Sequence, residues 1–215
     1  MTLELVSRLQ GLSTAILSDA LRRLGRDPGT MHSSLKPVWD GADLCGPAFT
    51  VRTYPGATHG CDLALSRAGA GDVLVLAGGG STEVILWGEI FSTCAKSRGL
   101  AGTVIDGAAR DVAGIRELGY PVFARAVTPR GGTFDKDQSE TQIPVSCGGV
   151  VVHPGDLIRG DETGVVVVPM RDVTAVLAWA EAAGKREARM LELARSGTPM
   201  AEIRRIIVAE GVQGP

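Results

Sequence analysis

Apolar positions along this chain recur first at helical spacing, then as alternating strand and helix patterns, and last as dense valine-rich runs. In LSTAILSDALRRLG, Ile16, Leu17, Leu21 and Leu24 share one face, Ser13 stands where an N-cap belongs and Gly25 where a helix stops. This predicts an amphipathic helix. After a polar link with Gly and Pro, GPAFTVRTYPG alternates as a strand and CDLALSRAGAG reads as a short helix closed by glycines. DVLVLAGGG is a buried strand entering a glycine loop. WGEIFSTCAKSRGL has helical spacing and ends in Lys96, Arg98 and Gly99, residue types that suit a helix C-terminus. GTVID is the following strand and RDVAGIRELG the following helix. The alternation from Asp72 to Val127 predicts parallel βαβ units, whose ligands sit where strand C-termini meet helix N-termini.

From Ile143 the pattern changes. IPVSCGGVVVHPGDLIRGDETGVVVVP is a series of short strands broken by Gly, Pro and Asp, as in antiparallel turns or a small barrel. Between them, TPRGGTFDKDQSETQ from Thr128 to Gln142 is polar and long enough to be read as a functional or mobile loop. The tail from Met170 holds two helical patterns separated by SGTP. The chain therefore reads as one α/β domain spanning 1–215, with βαβ units, a β-rich half and a C-terminal helical segment from about 170 to 215. A chain of 215 residues can bury its core without staples.

Composition narrows the function classes. A formal net charge of −2 offers no basic field for nucleic acid, and 4% aromatic residues leave few stacking surfaces for single strands. No apolar run approaches the roughly 20 residues that cross a bilayer. The four cysteines, Cys45, Cys61, Cys94 and Cys147, lack CxxC or zinc spacing, and Glu4 and Arg8 interrupt any signal-like N-terminus. The expectation is a cytoplasmic protein with reduced thiols and neither nucleic-acid nor membrane partners.

The candidate chemistry lies at two strand-to-helix junctions. Arg110 and Asp111 close VIDGAARD, while Gly88 and Glu89 open the preceding helix. Two helix N-termini thus face one crevice, and the amides of Gly88, Glu89, Ile90 and Phe91 could hold a small anion. Arg110 supplies a planar donor for a carboxylate, and Asp111 a hard oxygen of the kind that binds Mg²⁺ along with waters and substrate oxygens. Glu89 is the acid–base candidate. Gly107, Ala108 and Ala109 are expected to leave room for a ligand, and Trp87 is a candidate wall of the crevice.

Other motifs carry less. AGGG lacks both G-x-G-x-x-G and the P-loop Gly-Lys-Ser/Thr, so a structural turn is the better reading. HGCD has metal-capable residues without a tetrahedral spacing, and Asp62 reads as a first-turn residue of a helix. His153 reads as a turn residue. Lys36, Lys96, Lys136 and Lys185 all lie outside apolar strands, which disfavours a Schiff-base lysine.

WGEIFSTCAKSRGLAGTVIDGAARD resembles the 4-hydroxy-4-methyl-2-oxoglutarate aldolase family, also called RraA-like after the regulator of RNase E activity. STAILSDALRRLG, GPAFTVRTYPG, PVFARAVTPRGG and PVSCGGVVVHPGDLIRGDETGVVVVP extend the resemblance over nearly the whole chain. It implies a swivelling β/β/α fold, a homotrimer or a hexamer built as a dimer of trimers, and a class II aldolase that releases pyruvate through its enolate, with oxaloacetate decarboxylation as a side activity. It further implies Asp111 as the one direct protein ligand to Mg²⁺ or Mn²⁺, and Arg110 with the amides of Gly88 to Phe91 as the grip on a small 2-oxo acid. Glu89, where some members carry aspartate, would poise a water for proton transfer. An acidic residue from a neighbouring subunit's C-terminal helix can enter the site in this family; Glu187 in KREARMLE is the candidate, and Arg130 is a candidate for the site mouth. The family also holds non-catalytic regulators that bind an RNA-degrading enzyme and lack the acidic residue of the motif, which Glu89 supplies here.

Overall fold

A computed structural model describes residues 2–26, 28–134 and 139–211. The elements in chain order are α1 (Thr2–Gln10), α2 (Thr14–Arg23), β1 (Lys36–Pro37), β2 (Leu44–Arg52), α3 (His59–Arg67), β3 (Val73–Ala77), β4 (Ile85–Trp87), α4 (Glu89–Ser97), β5 (Gly102–Ala109), α5 (Val112–Leu118), β6 (Val122–Val127), β7 (Glu140–Thr141), β8 (Val145–Cys147), β9 (Val150–Val152), β10 (Leu157–Asp161), β11 (Gly164–Val168), α6 (Val173–Arg195) and α7 (Met200–Ala209).

The main sheet runs β1-β6-β5-β3-β2-β10-β11, with β4 on the end of β5 and β7 on β2. β2, β3, β5 and β6 form the parallel portion expected from the alternating strands and helices. β10 joins β2 and β11 antiparallel, and β8 with β9 makes a separate hairpin, so the valine-rich half is the antiparallel one. The sheet curls until its two edges meet: Lys36 Nζ of β1 donates to the Thr163 carbonyl beside β11, and Met31 N–H donates to the Val165 carbonyl. The result is a nearly closed, barrel-like sheet in an α/β fold.

Side-chain alternation along the strands separates three apolar clusters. Val73, Val75, Val104, Phe123, Ile158 and Val167 point into the barrel. Leu74, Leu76, Ile105 and Val122 point outward and pack with residues of α3, α4 and α5. Cys45, Leu157, Val166 and Val168 pack with α1, α2 and α6 on another side. Ser13 caps α2, its Oγ accepting from Ile16 N–H at 3.3 Å, and Gly25 follows with φ 65°. The helical tail is α6 and α7. Cys45, Cys61 and Cys147 are buried, the Cys61 thiol donating to the Leu86 carbonyl at 3.1 Å, and burial pushes the Cys45 thiol up to about 11.

The strand of VIDGAARD does not end at Asp106. It continues through Ala109, every residue buried, because Ile85 and Trp87 of β4 pair with Ala108 and Ala109 and Leu86 lies 3.2 Å from where a Cβ on Gly107 would stand. The small residues at 107–109 therefore serve close strand packing, and the ligand space expected from them is filled by β4. Trp87 is likewise fully buried, its indole N–H donating to Ser92 Oγ at 2.8 Å. Asp106, buried within β5, pairs with Arg125 of β6 and accepts from Gly148 N–H at 2.9 Å, tying the parallel strands to the hairpin turn.

Asp106→Ala removes one partner of that buried pair and the acceptor for Gly148, leaving the Arg125 charge without its carboxylate. The expected loss is about 3 kcal/mol. It should appear as a lower urea midpoint with an unchanged slope.

Candidate active site

β5 leaves the sheet through Arg110 and Asp111. The Arg110 N–H donates to the Trp87 carbonyl at 3.0 Å, so the end of β5 stays bonded to the end of β4. Asp111 then takes the left-handed conformation, φ 58° and ψ 38°, and becomes the N-cap of α5 without bonding its own helix through its side chain. A left-handed non-glycine residue is uncommon, and among the described residues only Gln142 shares this feature. The turn swings the Asp111 carboxylate toward the neighbouring helix start, where the Glu89 N–H of α4 lies 3.4 Å from Oδ2. Arg110 Nε also lies 3.4 Å from that oxygen, and both side chains are less than half exposed at 42% and 41%.

Gly88, the N-cap of α4, is the close-approach position. A Cβ there would stand 2.7 Å from Asp111 Oδ2 and 3.4 Å from Cγ of Arg110, so any side chain would displace the carboxylate. Gly114 does the same within α5, where a Cβ would overlap the Glu89 carboxylate. Two glycines thus hold the two acidic groups of adjacent helix starts close to backbone.

These junctions border a cavity of about 260 Å³. Gly88, Ile90, Phe91, Arg110 and Asp111 line it, whereas Glu89 is exposed beside it against Gly114. Its remaining walls come from Ile85 of β4, Cys94 further along α4, and two elements that local spacing did not connect with the site: Thr58, Asp62 and Leu65 at α3, and Gly131, Gly132 and Phe134 of the loop after β6. Asp62 does sit in the first turn of α3, as its position suggested, and it also faces this cavity. The loop is pinned at its start by the Ile85 N–H to Arg130 carbonyl bond of 3.1 Å and by Thr133 N–H to the Gly56 carbonyl at 2.7 Å. Arg130 itself is exposed and contributes no lining side chain; Lys136 lies outside the described residues. Phe91 links the rim to the core, its ring 5.3 Å from Trp87 and 6.5 Å from Phe134.

Glu187 lies on an exposed stretch of α6, the helix that packs with α1, α2 and α7, and does not line the cavity of its own chain. His153 occupies a turn, with its N–H on Asp156 Oδ2 at 2.8 Å. Among the described residues no three His, Cys, Asp or Glu side chains gather as a metal cage. Asp111 brings one carboxylate to the cavity wall, and a single carboxylate with water and ligand oxygens is a donor set of the kind that suits a hard cation.

The RraA-like family model, described as Aldolase/RraA, matches residues 14–167. A Halalkalibacterium halodurans protein that carries a provisional 4-hydroxy-4-methyl-2-oxoglutarate aldolase name is 34% identical over 167 residues, 78% of this chain and 77% of that one. Protein DlpA of Legionella pneumophila is 30% identical across 93% of this chain, which spans only 33% of its length. Among solved structures, an uncharacterized protein of Pseudomonas syringae superposes with a TM-score of 0.86 at 30% identity, covering 96% of this chain and 95% of that one. Streptomyces coelicolor RraAS2, described as an unusual member of the RNase ES inhibitor RraA protein family, superposes with a TM-score of 0.76 at 31% identity, covering 90% and 97%.

The left-handed backbone at Asp111 sets a stability test independent of any activity. Asp111→Gly should keep or raise stability, by up to about 1 kcal/mol, because glycine carries no steric penalty there. Asp111→Val, β-branched at positive φ, should lower it by about 1–2 kcal/mol. Urea denaturation of the two variants beside the parent chain checks both signs.

Proposed function

The chain belongs to the RraA-like, Aldolase/RraA family, and from that membership we propose that it is a divalent-metal-dependent carbon–carbon lyase, which cleaves a 4-hydroxy-2-oxo acid to pyruvate and a carbonyl compound. The compound named by the Halalkalibacterium relative, 4-hydroxy-4-methyl-2-oxoglutarate, belongs to that class. The observation that carries the reading is the meeting of Arg110 and Asp111 at the wall of one cavity beside the start of α4.

In this reading Arg110 binds the substrate's 1-carboxylate through its guanidinium, a bidentate contact that fixes the plane of the adjoining 2-oxo group. Asp111 would hold Mg²⁺ or Mn²⁺. Such a cation supplies, when bound, Lewis-acid stabilisation of the negative charge that develops on the 2-oxo oxygen. Glu89 takes the proton of the 4-hydroxyl, directly or through one water. The C4–O bond then becomes a carbonyl as the C3–C4 bond breaks, its electron pair passing to C3 to give the pyruvate enolate. The same group returns a proton to C3. Oxaloacetate loses carbon dioxide through the same enolate, which makes its decarboxylation the expected side activity. The amide of Glu89 is engaged by Asp111 and is not free for substrate in this arrangement, so the amide contribution falls to its neighbours at the start of α4.

As a homotrimer or hexamer, the assembly would bring Glu187 of one copy to the site of the next. A second reading has its own support in the likeness to RraAS2, described as a member of an RNase inhibitor family: a non-catalytic regulator that binds an RNA-degrading enzyme. Glu89 favours the lyase. No helix among the described residues is long and apolar enough to cross a membrane.

Pyruvate release from oxaloacetate tests the lyase reading. EDTA should abolish it and added Mg²⁺ should restore it; release that survives EDTA contradicts the metal assignment, and no release from any 2-oxo acid, together with tight binding of an RNase, favours the regulator. Steady-state kinetics separate the residues: Glu89→Gln should lower kcat by about 100-fold or more, whereas Arg110→Ala should raise KM as well as lower kcat.

A further inference from the structure

Gly114 has no conformational reason to be glycine. Its φ lies outside the left-handed region that Gly25 and Gly119 occupy, and it is the third residue of α5, inside the helix rather than past its end. At such a position glycine is a poorer choice than alanine, because it gives up more backbone freedom on folding. What requires the missing Cβ is Glu89. The three heavy atoms nearest to where a Cβ on Gly114 would stand are Cδ, Oε1 and Oε2 of Glu89, so the carboxylate occupies the place of the absent side chain. Glu89 opens α4, and its side chain reaches across to rest on α5. Asp111 is the N-cap of that same α5, three residues before Gly114, so both acidic groups meet one helix within a single turn, about 4.5 Å along its axis. The Glu89 N–H donates to Asp111 Oδ2 at 3.4 Å, which ties the backbone end of Glu89, and the gap at Gly114 seats its carboxylate end.

We propose that Gly114 is a positioning residue for the Glu89 carboxylate: the gap above its Cα sets where that carboxylate stands beside Asp111 and the cavity, and so how well it moves the substrate's proton. The inference rests on the lyase reading and deepens it, since it names the residue through which the proton-transferring group is aimed. An alanine at 114 drives the Glu89 carboxylate off α5 and leaves the rest of the chain in place, because what its Cβ meets is the far end of an exposed, flexible side chain. A shift of about 1 Å in a group that transfers a proton costs rate out of proportion to its size. The Arg110 grip on the substrate carboxylate does not run through this contact, so the loss falls on kcat and leaves KM.

Two measurements test it. The first follows, by proton NMR in deuterated water with Mg²⁺, the exchange of the C3 protons of pyruvate, which reports proton transfer whatever the distal half of the substrate is. Gly114→Ala should lower kcat for exchange at least about tenfold and leave KM for pyruvate within about twofold. In a Glu89→Asp chain, whose carboxylate stops one methylene short of α5, adding Gly114→Ala should change kcat by less than about twofold, whereas a glycine needed only for helix packing would cost the same in both backgrounds. The second measurement needs neither metal nor turnover. Gly114→Ala should raise the urea midpoint, and raise it further when Glu89→Asp is also present, because alanine is the better helix residue once nothing opposes its Cβ. Equal exchange by the parent and the Gly114→Ala chain, the same fold loss in the Glu89→Asp background, or a midpoint that falls equally in both backgrounds overturns the proposal and leaves the lyase reading standing. A parent chain that neither exchanges pyruvate protons nor releases pyruvate from oxaloacetate refutes the lyase reading, and the positioning role falls with it.

Discussion

The parallel ladder that holds β5 between β3 and β6 determines where the chain leaves the sheet, and the left-handed turn at Asp111 determines how it leaves. Every residue of β5 is buried, so its register cannot slip by one without sending Asp106 and the apolar residues beside it to the wrong faces. With that register set, Arg110 bonds to the end of β4 and Asp111 faces the start of α4 rather than its own helix. A right-handed residue at 111 would begin α5 in another direction. The candidate site is thus a consequence of strand termination, and its two charged groups inherit their position from the sheet.

The two ion pairs on this strand and its exit differ in kind. Arg110 and Asp111 lie 3.4 Å apart, a loose contact between side chains that keep 42% and 41% of their surface, and an exposed pair of this kind contributes little to stability. The tight ion pair on this strand is the other one, Asp106 with Arg125, buried and bonded to the β8–β9 turn. Strand β5 and its exit therefore carry two acidic residues with different duties: Asp106 locks the barrel, and Asp111 is left partly free beside Gly88. The same division accounts for the glycines at 88 and 114, which preserve space for carboxylates rather than for backbone turns.

Much of this was legible in the residue pattern. The βαβ period, the capping Ser13 and the valine-rich hairpins all follow from local chemistry and appear where the spacing placed them. The convergence of Gly88, Arg110 and Asp111 was legible too, because strand ends and helix starts in parallel units are adjacent by topology. What escaped was set by tertiary packing. β4 is only three residues long and merges with the helical pattern of α4, so its cover over Gly107 and the burial of Trp87 could not be read locally. The rest of the cavity wall is assembled from α3, α4 and a loop that are far apart along the chain, and Asp62 looked like a helix-start residue because it is one.

In the proposed lyase, Asp111 and Arg110 act together on a 2-oxo acid, the first through a divalent cation and the second directly. Oxalate, a planar mimic of the pyruvate enolate, isolates that claim from turnover. Calorimetric titration of oxalate should show binding to the parent chain that depends on Mg²⁺, and loss of that binding in both Asp111→Ala and Arg110→Ala. Oxalate binding that persists in EDTA, or that is unchanged in Asp111→Ala with Mg²⁺ present, would contradict it.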